Sequence, residues 1–109
     1  MGTLHKFDYD EEDWWEKFEQ KKLGIMFVVS TNGKHLFLAP PLGDHGNMVA
    51  AARDQLSEDD DLLLSFGRIS WSSQGNLLTN FTRGSQPKKP EVTNQLREHI
   101  RSWVLSLLS

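Results

Sequence analysis

The residues with the most suggestive spacing for chemistry are Asp44 and His45, in the run Asp44-His45-Gly46. A histidine beside a carboxylate can act as a general base near neutral pH, so this pair is a candidate catalytic group. The same run also fits an ordinary polar loop. The three other histidines, His5, His35 and His99, form no metal-binding spacing with each other or with carboxylates. We therefore expect no metal and no cofactor.

A basic stretch, 83–89, is the second candidate for chemistry. Lys88 and Lys89 precede a predicted helix, where backbone amides and positive charge can hold a phosphate. Pro87 and Pro90 remove amide donors from that position, and the full spacing of a phosphate loop is missing. If the chain is an enzyme acting on nucleic acid or nucleotides, Arg68 and Arg83 must converge with Asp44 and His45.

Tryptophans offer a different kind of site, because exposed rings of Trp14, Trp15 and Trp71 can form an aromatic platform. Stacking on nucleic acid also requires a basic stripe, and the chain carries a net charge of −3. We therefore predict that these tryptophans, with Lys88 and Lys89, contact a protein partner rather than nucleic acid.

Composition limits the class of protein. A chain of 109 residues with 38% hydrophobic and 25% charged residues is typical of one soluble domain, here 1–109, with 1–9 as a flexible lead-in. It contains no cysteine, which excludes a disulfide framework and a thiolate site. No apolar run approaches the roughly twenty residues of a membrane span, so we expect a cytoplasmic protein without membrane contact.

Two hairpins are predicted to hold these residues. In the first, 24–39, Asn32-Gly33 fits a type I′ turn and pairs Val29 with Leu36. In the second, strands at 62–66 and 68–72 are separated by Gly67, which indicates a bulge or bend, and a return strand spans 77–82.

Three helices complete the pattern. The first is predicted from an Asp10 N-cap to Gly24, and the second at 48–56 behind an Asn47 N-cap. The third starts near Pro90 and carries an apolar stripe. Its members are Val92, Leu96, Ile100, Trp103, Val104, Leu107 and Leu108. We expect Trp103 to anchor this helix on the first hairpin.

This order of elements predicts an α+β fold, with a mainly antiparallel sheet of four to five strands and three helices packed on it. It is similar to the order in profilin-like and roadblock-type domains, small modules used for assembly and ligand binding. That likeness is one of topology, which does not determine function.

The segment 45–90 also resembles a bacterial polymorphic-toxin domain, in which a histidine segment precedes a Gly-x-Ile strand, a glycine hairpin and an Asn-x-Ser-Gly-His-Tyr-x-Pro motif. The matching positions are His45, Gly67-Arg68-Ile69, Gln74-Gly75-Asn76-Leu77 and 80–90. The stretch 83–90 has no histidine or tyrosine where that motif places its chemistry. The resemblance implies a nuclease or nucleotide-modifying ancestry with lost or altered activity.

Two functions follow from these patterns. The first is a non-enzymatic interaction module that binds a protein partner or self-associates, since no convergent catalytic set is visible and the chain is rich in Trp and Leu. The alternative is a toxin-like enzyme that uses His45 and the stretch 83–89.

Overall fold

The computed structural model describes residues 3–6, 13–30, 32–41, 43–56, 64–82 and 93–108, which form an α+β fold, as predicted. The strands are β1 Thr3–Lys6, β2 Ile25–Ser30, β3 His35–Ala39, β4 Leu64–Trp71 and β5 Leu77–Phe81. The helices are α1 Trp14–Glu19, α2 His45–Gln55 and α3 Asn94–Leu108.

One sheet contains all five strands, in the order β1-β3-β2-β4-β5. The pairs β3–β2, β2–β4 and β4–β5 are antiparallel, whereas β1 runs parallel to β3. β1 lies within the predicted lead-in at 1–9 and was not expected, because a four-residue strand without a hairpin turn leaves no local signal.

The register of the first hairpin is confirmed, with Val29 opposite Leu36 and Phe27 opposite Leu38. The predicted type I′ turn is wrong, because the Gly33 amide donates to the Ser30 carbonyl oxygen at 2.9 Å, a bond that a two-residue turn centred on Asn32-Gly33 does not contain. The buried Ser30 hydroxyl instead accepts hydrogen bonds from the amides of Lys34 (3.2 Å) and His35 (3.0 Å) and closes a wider turn. Both turns give the same register, since each leaves Val29 facing Leu36.

Strand β4 passes through Gly67 without the predicted bulge, because its pairing with both neighbours is continuous there. Gly67 lies between Phe27 and Phe81 in adjacent strands, and those two rings meet edge to face with centroids 5.1 Å apart. A Cβ at position 67 would overlap the carbonyl oxygen of Asn80. Glycine is therefore required by the close approach of neighbouring atoms rather than by a bend.

The ends of two helices differ from the sequence predictions. α2 begins at His45, because Asp44 rather than Asn47 is the N-cap and its carboxylate accepts from the Gly46 amide at 3.1 Å. α3 begins at Asn94, because the Thr93 hydroxyl accepts from the Leu96 amide at 3.1 Å. Side-chain caps therefore fix both starts, and Pro90 lies outside the described residues.

Helix α1 begins at Trp14 and ends at Glu19, before the predicted stop at Gly24, while the predicted cap Asp10 lies outside the described residues. Lys21 takes a left-handed φ of 62°, and the Lys22 amide donates to the Lys17 carbonyl at 2.9 Å. This is a Schellman-type end with lysine where glycine is usual.

The two faces of the sheet carry separate cores. On the first face, α1 and α3 cover the strands, and the buried residues are Trp14, Phe18, Ile25, Phe27, Val29, Leu36, Leu38, Ile69, Leu77, Leu96, Ile100 and Val104. On the second face, α2 covers Met26, Val28, Phe37, Ala39, Leu64 and Phe66 with its own Met48 and Ala52. Trp103 is only half-buried at the rim of the first core, so Leu96, Ile100 and Val104 anchor α3.

Candidate functional site

His45, the catalytic base of the alternative enzyme hypothesis, lies at the start of α2 against strand β4. Its Nε2 is 3.1 Å from the Gly67 carbonyl oxygen, and its ring stacks on Phe66 with centroids 5.1 Å apart. The Asp44 carboxylate is used as the helix cap. The imidazole therefore links α2 to the sheet. Asp44 and His45 thus both have structural roles, as a helix cap and as a packing contact.

His99 on α3 is held in the same way, although the sequence gives it no catalytic neighbour. Its Nε2 lies 2.8 Å from the Gly33 carbonyl oxygen, and its ring lies 5.3 Å from that of Trp103. Two histidines thus each bind a glycine carbonyl and contact an aromatic ring. Within the part of the chain that the structure describes, no three His, Cys, Asp or Glu side chains could hold a metal ion.

Of the two arginines in the alternative enzyme hypothesis, the structure describes only Arg68. Arg68 is exposed on the same face of β4 as Phe66, two residues earlier, and so lies on the side of the sheet that His45 occupies. Arg83 lies outside the described residues, as do Lys88 and Lys89. The structure thus brings His45 and Arg68 to one face.

The three predicted binding tryptophans come together through Phe18, and we call Trp14, Trp15, Phe18 and Trp71 the aromatic row. Successive ring centroids along the row are 5.6, 5.5 and 5.4 Å apart. Trp14 is only 7% exposed and belongs to the first core. Trp15 and Trp71 are half-buried.

Trp71 is fixed at the end of this row by its polar atom. The indole Nε1 donates a hydrogen bond of 2.9 Å to the Phe18 carbonyl oxygen near the end of α1. The Lys21 ammonium lies 5.1 Å from the centroid of the Trp71 ring, within the range of a cation–π contact. The ring is therefore held in one orientation beside a positive charge.

Trp71 also lines an open cavity of about 410 Å³ between the β4–β5 hairpin and α3, which we call the hairpin groove. Its lining residues are Trp71, Gly75, Asn76, Leu77, Leu78, Arg101 and Leu105. Leu78 is 39% exposed and Leu105 is 46% exposed, the two large apolar side chains with the greatest exposure among the described residues. The groove thus combines accessible leucines with a fixed tryptophan.

Arg101 supplies positive charge to the groove. Its Nη1 donates to the Glu98 carboxylate at 3.0 Å, in a pair whose side chains are 38% and 65% exposed respectively. Its Nε is buried and has no hydrogen-bond partner among the described residues. Because exposed ion pairs contribute little, Glu98 leaves the guanidinium able to bind another acceptor.

Arg97, one turn earlier, covers the open edge of β5. The pairs Phe66–Thr82 and Ser72–Asn76 are hydrogen-bonded across the hairpin, so by alternation the Thr79 carbonyl points away from β4. Arg97 donates to that carbonyl at 3.2 Å, and its guanidinium lies 5.2 Å from the Phe81 ring. A charged side chain thus occupies the middle of this edge strand, a common protection against strand addition.

Of the residues that line the hairpin groove, the sequence predicts only Trp71 as a binding residue. Leu105 is not part of the predicted apolar stripe of α3, and Arg101 is not among the predicted site residues. The sequence does contain a signal for an exposed leucine. Leu77 and Leu78 are adjacent in a strand and therefore point to opposite faces of the sheet, so only one of them can pack against α3. Arg101 and Leu105 are also four residues apart, hence on one helix face.

Compared with models of protein families, with curated protein sequences and with solved structures, the chain matches none. Among the residues that the structure describes, no helix has the length and apolar character needed to cross a membrane.

Proposed function

We propose that this chain is a small non-enzymatic interaction module that binds a protein through the hairpin groove. The observation that carries the proposal is the exposure of Leu78 and Leu105 on two different elements, on either side of an open cavity. Apolar side chains grouped on a surface are typical of protein contact sites. Trp71 and Arg101 add the residue types that are enriched in binding hot spots.

The arrangement of the candidate catalytic residues supports the same proposal. Asp44 caps α2, and His45 is bonded to Gly67 in the manner in which His99 is bonded to Gly33. Each of these contacts stabilises the fold, so a catalytic role is not needed to explain the positions of Asp44 and His45. An open groove with exposed leucines and a cation among its lining residues is suited to recognition of side chains.

The test compares the wild-type chain with the double variant Leu78→Ser and Leu105→Ser. Both leucines are well exposed, so the variant should keep its melting temperature, which is measured first. Sedimentation over a range of concentrations then reports self-association, and affinity capture from cell extract reports other partners. We expect the wild-type chain to self-associate or to capture a partner, and the double variant to do neither. A wild-type chain that stays monomeric and captures nothing beyond what the variant captures refutes the proposal.

A toxin-like nuclease or nucleotide-modifying enzyme is the second candidate, favoured by the position of Arg68 on the sheet face that carries His45. The assay incubates the chain with labelled RNA, DNA and nucleoside triphosphates. Turnover lost in His45→Gln and kept in His99→Gln, a matched histidine with the same kind of contacts, would establish the enzyme. Turnover that is absent, or equal in both variants, excludes a role for His45.

A further inference from the structure

The charged side chain that lines the hairpin groove is a cation, and this indicates what the groove binds. The chain has a net charge of −3, yet none of the described residues that line the groove is acidic, and one is Arg101. Lys21 adds a second cation, since its ammonium lies over the Trp71 ring and beside Gly75. Complementary charge favours a negatively charged occupant.

The apolar part of the groove restricts the occupant further. Leu77 and Leu78 project to opposite faces of β5, so the cavity wraps around the start of this edge strand and reaches Leu105 on α3. A surface of this shape accepts branched apolar side chains. An acidic ligand without such side chains would leave both exposed leucines in water.

The mode of docking follows from Arg97. Because its guanidinium occupies the outward carbonyl of Thr79, an incoming strand cannot pair along the middle of β5 without displacing it. The partner must therefore be recognised through its side chains, with Leu78, Leu105 and Trp71 as the apolar contacts. Arg101 is the polar contact, since its side chain lines the groove, is 38% exposed and is paired only with the exposed carboxylate of Glu98 among the described residues.

We propose that the hairpin groove binds an acidic, leucine-bearing segment of a partner protein, with leucine side chains against Leu78 and Leu105 and a carboxylate on Arg101. The planar guanidinium suits a carboxylate because it can offer two parallel hydrogen bonds. This inference rests on the proposed function and specifies the chemistry of the partner.

The experiment titrates the isotope-labelled full chain with short synthetic peptides and follows the Trp71 indole N–H by NMR. One peptide is composed of leucine and aspartate, and two matched peptides carry asparagine or lysine in place of aspartate. We expect the aspartate peptide to bind at least about tenfold more tightly than either, and its affinity to fall as salt is added.

Variants locate the binding. Arg101→Gln should weaken the aspartate peptide at least about tenfold, whereas Arg53→Gln, an exposed arginine on α2, should leave it unchanged. Melting temperatures of both variants confirm that each is folded. Equal binding of the three peptides, or affinity that survives Arg101→Gln, overturns the inference.

The remaining outcomes separate this inference from the proposed function. If no peptide binds and the chain self-associates in a way that Leu105→Ser abolishes, the groove belongs to a second copy, and the inference fails while the interaction module stands. If neither peptide binding nor groove-dependent association is found, both fail.

Discussion

The two halves of the sheet differ in how completely they are covered. All six residues of β2 are buried, as are the last four of β3, so this half lies between α2 and the layer of α1 and α3. In β5 and the second part of β4, buried and more exposed residues alternate. Strands that are apolar on both faces lie between two layers, and strands that alternate have one face open.

The location of the hairpin groove follows from this difference. Where the sheet is covered on both faces, its apolar side chains are buried in the two cores. Where it is covered on one face, Leu78 points away from α3 and remains 39% exposed. The proposed binding surface therefore lies at the boundary of the core, beside the half of the sheet that lacks a second layer.

The largest test of this contrast substitutes one apolar residue in each half. Phe37→Ala, in the half that is covered twice, should lower the free energy of unfolding by about 3 to 5 kcal/mol, because it removes a fully buried ring and leaves a cavity. Leu78→Ala, in the open half, should change it by less than about 0.5 kcal/mol. Denaturant unfolding measures both, and similar costs at the two positions would contradict the contrast.

Helix α3 allows a sharper comparison within a single layer. Ile100 is fully buried, and Ile100→Ala should cost about 2 to 5 kcal/mol. Trp103 lies half-buried at the rim, so Trp103→Ala should cost less, about 1 kcal/mol, and leave the chain folded. Thermal and denaturant unfolding measure the stability of both variants. A Trp103→Ala chain that is less stable than Ile100→Ala would restore Trp103 as the anchor that its sequence position predicts.

The sequence predicts the central strands well because their information is local. A run of apolar residues on either side of Asn32-Gly33 sets the register, and the register holds even though the turn has a different shape. The start of α2 is harder, since Asp44 and Asn47 are both good caps. The earlier start includes His45, whose contacts with Gly67 and Phe66 on the distant strand β4 are not visible in the sequence.

The candidate site is less predictable because it is made of distant parts. Trp71 and Arg101 are far apart in sequence and meet only when α3 lies across β4 and β5. Its charge also depends on Lys21, whose left-handed backbone lies at the end of α1. A single sequence marks such residues as polar or apolar, but it does not indicate which of them share a cavity.

Gly67 tests how tightly the two halves are joined, since it lies in β4 between them. Gly67→Ala should cost about 1 to 3 kcal/mol, because the added Cβ collides with the Asn80 backbone beneath the Phe27 and Phe81 rings. Gly46→Ala is the control. Its Cβ would make ordinary contacts in a helix, so stability should stay constant or rise by up to about 1 kcal/mol. If Gly67→Ala is tolerated equally well, the strands can separate more easily than this packing implies.

The smallest effect concerns Asp44, which starts the helix that covers the second face. Asp44→Ala should lower the free energy of unfolding by about 1 kcal/mol, because the Gly46 amide loses its acceptor, whereas Asp44→Asn should retain most of the stability since asparagine caps equally well. Hydrogen exchange of the first-turn amides of α2 reports the loss locally. A carboxylate with a catalytic purpose would give a different pattern, with wild-type stability and lost turnover in Asp44→Asn. Exchange rates that are unchanged in Asp44→Ala would show that the cap contributes nothing to the start of α2.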